Sequence, residues 1–278
     1  MTKEREKSLQ GVQTYCYFSV QIKKRILNIT EFCTTNRSAM KLSVNINKIA
    51  TIRNARGGNT PNLLLAATRI ESFGADGITV HPRPDERHIR YSDVKDLKEQ
   101  VKTELNVEGF PNESFMQLVM NTIPHQVTLV PDPPDALTSN AGWDIEAHFS
   151  LLSEVIEQLK GVGIRTSIFV EANAELMHAA KATGVDRIEL YTEAYALGYQ
   201  QGNKKAVEPY VLAAHKAKEL GLGVNAGHDL NLDNLAFFAK EIQVLDEVSI
   251  GHALISDALY FGLENTVRMY KHALQTTS

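Results

Sequence analysis

The chain has 278 residues, 43% of them hydrophobic and 22% charged, enough to bury one large core or two small ones. Its net charge of −4 comes with no basic block in the body of the chain, which argues against nucleic acid as a partner, and no run approaches the roughly 18 apolar residues of a membrane span. Cys16 and Cys33 both lie near the start, so disulfides, thiolate metal sites and cysteine nucleophiles are excluded over the rest; with no secretory pattern, the expected compartment is the cytoplasm.

Residues 1–40 carry seven Lys and Arg against three Asp and Glu, +4, leaving −8 for residues 41–278. Lacking a cleavage site or an amphipathic repeat, residues 1–40 read as an N-terminal extension, and 41–278 as the folded domain. From Lys41 onward, short apolar runs alternate with helical segments. Leu42–Asn47 reads as a strand and Asn62–Phe73 as a helix with Leu63, Ala66, Ala67 and Ile70 on one face. Gly77–His81 is a strand, followed by a helix from Ser92, whose hydroxyl and Asp93 suit a helix start. Strand Leu105–Gly109, helix Glu113–Asn121, strand Gln126–Val130 and helix Asp144–Lys160 complete the first half.

The second half keeps the rhythm, with strands Arg165–Val170, Arg187–Tyr191, Gly223–Asn225 and Glu247–Ile250. Helices Ala174–Thr183, Lys204–Leu220, Leu232–Lys240 and Ala253–Phe261 come after them in turn, with a further helix at Glu264–Leu274. Near-continuous apolar strands alternating with helices imply a parallel sheet covered by helices. Eight such units in about 240 residues predict an α/β fold, the (β/α)8 TIM barrel. An open doubly wound sheet is the rival, but no Gly-x-Gly-x-x-Gly opens any of these helices.

In a barrel the active face lies at the C-terminal ends of the strands. Those ends collect Asn45, Asn47, His81, Arg83, Glu108, Glu171, Glu189, His228, Gly251 and His252. So many titratable groups are seldom gathered for structure alone, because burying them unpaired is costly. Glu108 interrupts an apolar strand end and reads equally as a general base or as a carboxylate paired with an arginine; Glu189 carries the same two readings. His81, His228 and His252 fall at equivalent strand ends, whereas His125, His148, His178, His215 and His272 read as structural or surface groups.

Gly227-His228 and Gly251-His252 follow the seventh and eighth strands, where barrel loops commonly hold phosphate on backbone N–H groups. Arg53, Arg56, Arg83, Arg87 and His88 supply a second cationic region, and two anion sites suit two phosphorylated substrates or one bisphosphate. His81, His228 and Glu108 match a facial metal site in residue type, but no His-x-His or His-Glu-x-x-His spacing occurs, and no metal is expected.

With these residues placed, the chain resembles the pyridoxine 5′-phosphate synthase family. The matching segments are Val44–Arg56, Gly74–Arg83, Arg87–Ile89, Val224–His228 and Ile250–Ala253, in family order along the whole barrel. The resemblance implies a barrel transferase of vitamin B6 biosynthesis with added helices, assembled as homo-oligomers, commonly octamers built from dimers, that uses no cofactor. It condenses 3-amino-2-oxopropyl phosphate with 1-deoxy-D-xylulose 5-phosphate, giving pyridoxine 5′-phosphate, phosphate and water. By the same resemblance His81 and Glu108 accept protons, His228 donates one and Glu189 stabilises the transition state. Asn45, Arg56, Gly251 and His252 would bind the amino-ketone phosphate, and Arg83, His88 and Thr138 the deoxyxylulose phosphate.

The chain departs from the family pattern at three positions. Asn47-Lys48 stand where many members carry Asp-His, and Asp229 where they carry glycine. The resemblance still places all three at substrate, with Lys48 reaching phosphate as a point charge and Asp229 contacting it through the backbone. The long loop Pro131–Trp143, which contains Thr138, is expected to close over the site. The alternative to the synthase reading is another barrel enzyme, an epimerase or isomerase on a phosphorylated sugar, which would need one phosphate site.

Overall fold

The structure, a computed structural model, describes residues 39–131 and 141–275. Eight parallel strands close into a barrel in chain order. They are β1 Lys41–Asn45, β2 Gly77–Val80, β3 Glu104–Gly109, β4 Gln126–Leu129, β5 Arg165–Val170, β6 Arg187–Tyr191, β7 Gly223–Gly227 and β8 Glu247–Ile250. Helices α1 Asn47–Arg56 and α2 Leu63–Ser72 follow β1, α3 Tyr91–Gln100 follows β2, α4 Glu113–Thr122 follows β3, and α5 Phe149–Gly161 follows β4. Helix α6 Leu176–Ala182 follows β5, α7 Glu193–Gln200 and α8 Glu208–Glu219 follow β6, and α9 Leu235–Glu241 follows β7. Helices α10 His252–Phe261 and α11 Leu263–Gln275 close the chain, so the fold is the expected (β/α)8 barrel with additional helices. Nearly all of the expected N-terminal extension, and most of the expected lid with Thr138, lie outside the described residues. Among the described residues no helix is long and apolar enough to cross a membrane.

The strands are not the continuous apolar runs that the sequence pattern suggests; they alternate. Leu42, Val44, Ile78, Val80, Leu105, Val107, Val127 and Leu129 are fully buried on the outer face, in the core shared with the helices. The inner face is polar where such barrels usually stack Val, Ile and Leu. Ser43 and Thr79 hydroxyls lie 2.7 Å apart, Asn106 Nδ2 donates to Thr79 Oγ1 at 3.5 Å, and Thr128 Oγ1 donates to Asn106 Oδ1 at 3.0 Å. Because both faces are buried, the period-2 signal separates two interiors rather than core from solvent, and the apolar half dominates a reading by hydropathy.

At the N-terminal ends of the strands the inner face is charged. Glu104 accepts from Lys41 Nζ at 2.8 Å and from both terminal nitrogens of Arg165 at 2.8 and 3.3 Å. Arg187 donates to Asn225 at 2.9 Å and lies 3.9 Å from Glu247.

Helix α1 and helix α7 have no counterpart in the sequence reading. Their N-caps, Ile46 and Thr192, make no side-chain capping bond, so the usual start signal is missing. The single helix expected over Lys204–Leu220 is a 3-10 turn, Lys204–Val207, leading into α8, whose first turn holds Pro209. Helix α3 starts at Tyr91 rather than Ser92, and it is Asp93 that reaches back to accept the Arg90 N–H at 2.7 Å.

Candidate active site

A cavity of about 380 Å³ opens at the C-terminal ends of the strands. It brings together His81, Arg83, Glu108, Glu189, His228 and His252 from four different strand ends and the start of α10. Asn45, Asn47, Lys48, His88, Asp229 and Gly251 also line it. Of the residues to which the resemblance gives a catalytic or substrate-binding role, two do not appear there. Arg56 is exposed in the last turn of α1 and does not line the cavity, and Thr138 lies outside the described residues. Glu171 holds the chain near the loop by accepting the Gly142 N–H at 2.9 Å.

The first two strands are tied by a relay of asparagines. Asn45 Oδ1 accepts the Asn47 N–H at 3.0 Å, and Asn47 Oδ1 accepts the His81 N–H at 2.9 Å. Asn47 therefore fixes the backbone that presents His81, a job an aspartate oxygen would do equally well. Asn45 Nδ2 in turn reaches Glu108 Oε2 at 3.5 Å.

His81 is buried, and burial together with the charges of Arg83, His88 and Arg87 pulls its pKa down to about 3. It is a neutral imidazole at physiological pH. His88 lies 6.5 Å from it, centroid to centroid, and burial with Arg83, Lys48 and Arg87 lowers its pKa to about 4. Its Nδ1 accepts the Ile89 N–H at 2.9 Å, so the neutral ring carries its proton on Nε2. Arg83, buried to 4% exposure, and Lys48 give one wall its positive charge, to which neutral His88 adds an Nε2–H donor, a set suited to an anion of charge near −2.

The sequence also offers Arg53 as one of the cations for phosphate. The structure assigns it otherwise. It is buried in a two-pronged pair with Asp93, Nη1 to Oδ1 2.7 Å and Nη2 to Oδ2 2.8 Å. Arg87, at the surface, pairs with Asp85 at 2.7 Å.

Across the cavity the electrostatics reverse. Glu189 is 1% exposed, and burial, then the charges of Glu108 and Glu247, raise its pKa well above the usual carboxylate range. Its Oε2 has no hydrogen-bond partner among the described residues, leaving a buried carboxylic acid beside the cavity. For His228, burial works against the charged form. The bond to Asp229 and the charges of Asp229, Glu108 and Glu193 outweigh it and raise the pKa. Gly251 and His252 begin α10, so its free N–H groups face the cavity mouth.

Phe169 and Ser249 also line the cavity and were missed. They sit on inner-face positions of β5 and β8, in register with Glu189 and Gly227. The alternation signal could have found them. Among the described residues no group of three or more His, Cys, Asp or Glu is placed to hold a metal ion.

The family model for "Pyridoxal phosphate biosynthesis protein PdxJ" matches residues 42–276. The chain is 60% identical over 235 residues to the pyridoxine 5′-phosphate synthase of Bacteroides fragilis strain YCH46, covering 84% of this chain and 99% of that one. It is 61% identical, with the same coverage, to the enzyme of that name from Parabacteroides distasonis. Among solved structures, thiamine phosphate pyrophosphorylase from Pyrococcus furiosus superposes with a TM-score of 0.54 over 87% of this chain and 98% of that one. At 9% identity that likeness concerns the fold alone.

Proposed function

The chain belongs to the pyridoxine 5′-phosphate synthase family, enzymes of vitamin B6 biosynthesis, and on that premise we propose that its barrel mouth condenses 3-amino-2-oxopropyl phosphate with 1-deoxy-D-xylulose 5-phosphate. One observation carries the assignment of roles. The same cavity holds a neutral histidine, His81, and a histidine biased toward its cation, His228, so an acceptor and a donor of protons coexist at one pH.

The reaction needs both. The amine must lose a proton as it attacks the ketone, and the resulting carbinolamine must gain one on oxygen to leave as water. His81 and Glu108 take protons and His228 gives one. Glu189, held protonated, offers an O–H to developing negative charge on oxygen. The Arg83–Lys48–His88 wall binds the phosphate of the deoxyxylulose substrate, and the α10 N-terminus with Gly251 and His252 binds the other, Asn45 orienting the amino-ketone. Arg56 and Thr138 keep the substrate-binding roles that the resemblance gives them, and no metal or organic cofactor takes part. The protein works in the cytoplasm as a homo-oligomer. Leu259, Tyr260 and Phe261, 72%, 84% and 49% exposed at the end of α10, support the assembly.

The test is an assay of the purified protein with both substrates and no added metal. Pyridoxine 5′-phosphate is tracked by fluorescence alongside released phosphate. Equal formation of the two is expected. A folded protein that forms neither, with chelator and divalent metals both tried, would overturn the reading.

A further inference from the structure

His228 is one of three non-glycine residues with positive φ among those described, at +91°, and the turn that holds it there is fixed on both sides. Thr192 Oγ1 donates to the Gly227 carbonyl at 2.6 Å and accepts the Asp229 N–H at 3.3 Å. Asn234 Nδ2 donates to the Asp229 carbonyl at 3.2 Å. Thr192 and Asn234 are both buried, so the Asp229 backbone is pinned and its carboxylate turns back onto the preceding ring. Asp229 Oδ2 lies 2.6 Å from His228 Nδ1, and the Tyr191 ring packs edge-on against the imidazole at 5.0 Å. Held on one nitrogen and one edge, the ring keeps Nε2 for the cavity.

We infer that Asp229 is a positioning residue for the proposed condensation: it holds the His228 ring with Nδ1–H on its carboxylate, leaving Nε2–H to give a proton to the substrate oxygen. The inference rests on the synthase reading for the identity of that oxygen. The placement also resolves an electrostatic oddity. An aspartate beside a phosphate site would repel the substrate, but paired with a cationic imidazole its charge is cancelled where the phosphate arrives. Glycine at this position would supply no carboxylate to the ring. The pair is 31% and 40% exposed, so its worth to stability is small, and its effect falls on the position and retention of a proton.

The other ionisable groups around His228 are Glu108 from β3, Glu189 and Tyr191 from β6, Glu193 from α7, and His81, Lys48 and His252 across the cavity. Glu193 is engaged by the Tyr191 hydroxyl at 2.9 Å. Asp229 is in direct contact with the ring, through Nδ1.

The test is Asp229→Asn, with folding checked by circular dichroism. In the active enzyme kcat should fall about tenfold to a hundredfold with KM changed less than about threefold, and the alkaline limb of the kcat profile should move down by about one pH unit. Independently of substrate, nitrogen-15 NMR of the histidine rings should show the His228 titration moving down with that limb, and Nδ1–H protonation in the wild type. An unmoved limb and titration in Asp229→Asn would overturn the inference with the synthase reading intact. A wild type that makes no product overturns the synthase reading, and the ring titration then decides the Asp229–His228 pairing alone.

Discussion

Arg53 and Asp93 form a two-pronged ion pair, their side chains 3% and 12% exposed, that ties α1 to the first turn of α3. Between them runs the loop that carries Arg83 and His88. Arg53 Nη2 also donates to the His88 carbonyl at 3.0 Å, and Asn54 Nδ2 donates to the same oxygen at 2.8 Å. A cation that the sequence offers to phosphate is thus spent on framing the loop that presents Arg83 and His88 to the cavity. Removing Arg53 would strand a buried carboxylate. Arg53→Ala is expected to cost about 3–5 kcal/mol, read as a lower urea midpoint at unchanged slope, and Arg53→Lys should recover only part because it lacks the planar fork.

At the opposite end of the barrel, Glu104 is held by Lys41 and Arg165. Burial opposes the charge, but those hydrogen bonds and charges win and bring its pKa down to about 2. A folded pKa below the unfolded one means stability that is complete above the unfolded value of 4.5 and lost as pH falls toward about 2. Glu104→Gln should therefore destabilise by about 2 kcal/mol at neutral pH, after discounting for partial exposure. Thermal melts from pH 7 to 2 should show its deficit shrinking in acid; a constant deficit would mean that packing, not charge, is at stake.

The reach of the sequence is set by these particulars. Strand ends were legible because a histidine or carboxylate breaks an apolar run there, as at His81, Glu108 and Glu189. The pairing of Arg53 with Asp93 was not, since 40 residues separate them and only the barrel turns α1 toward α3. Phe169 and Ser249 lay hidden for a different reason. Apolar Phe169 reads as ordinary core, and an inner face lined with Ser, Thr and Asn departs from the usual filling of a barrel.

The cationic wall predicts a response to anions. Burial and the neighbouring charges of Arg83 and Lys48 lower His88, so a bound phosphate should push its titration back up from about 4. Ring NMR with increasing inorganic phosphate should show a rise of about one pH unit or more. Arg83→Ala should raise the His88 titration without phosphate and increase KM for the deoxyxylulose substrate about tenfold or more.

The two histidines of opposite bias predict similar losses of rate but different pH profiles. His81→Asn and His228→Asn should each lower kcat by about a hundredfold to ten-thousandfold with folding intact. On the proposed roles the alkaline limb should report His228 losing its proton: its pKa is raised, so activity is expected to persist above the ordinary histidine range and then fall. His228→Asn should abolish that limb, and a variant that retains it would move the donor role elsewhere.

Two glycines at the cavity distinguish a rigid site from a yielding one. A Cβ on Gly227 would sit 2.6 Å from Glu189 Oε1 and 2.9 Å from the Ser249 carbonyl. The carbonyl belongs to the β8 backbone and Glu189 is buried, so neither neighbour can retreat without opening the barrel wall. A Cβ on Gly251 would first meet the Asn45 side chain at the rim of the cavity, its Cβ at 3.0 Å and its amide at 3.1–3.2 Å, contacts less close than those at Gly227. Gly227→Ala should therefore cost about 1–3 kcal/mol in stability and most of kcat. Gly251→Ala should leave stability within about 1 kcal/mol and act on KM, by disturbing the Asn45–Asn47–His81 relay and the approach of phosphate to α10. Unfolding curves and kinetics on both variants decide the matter. If Gly251→Ala proved the more damaging to stability, the inner layer around Glu189 would have to be yielding. A carboxylic acid there could then shift to reach water and would lose the protonated form that the role proposed for Glu189 requires.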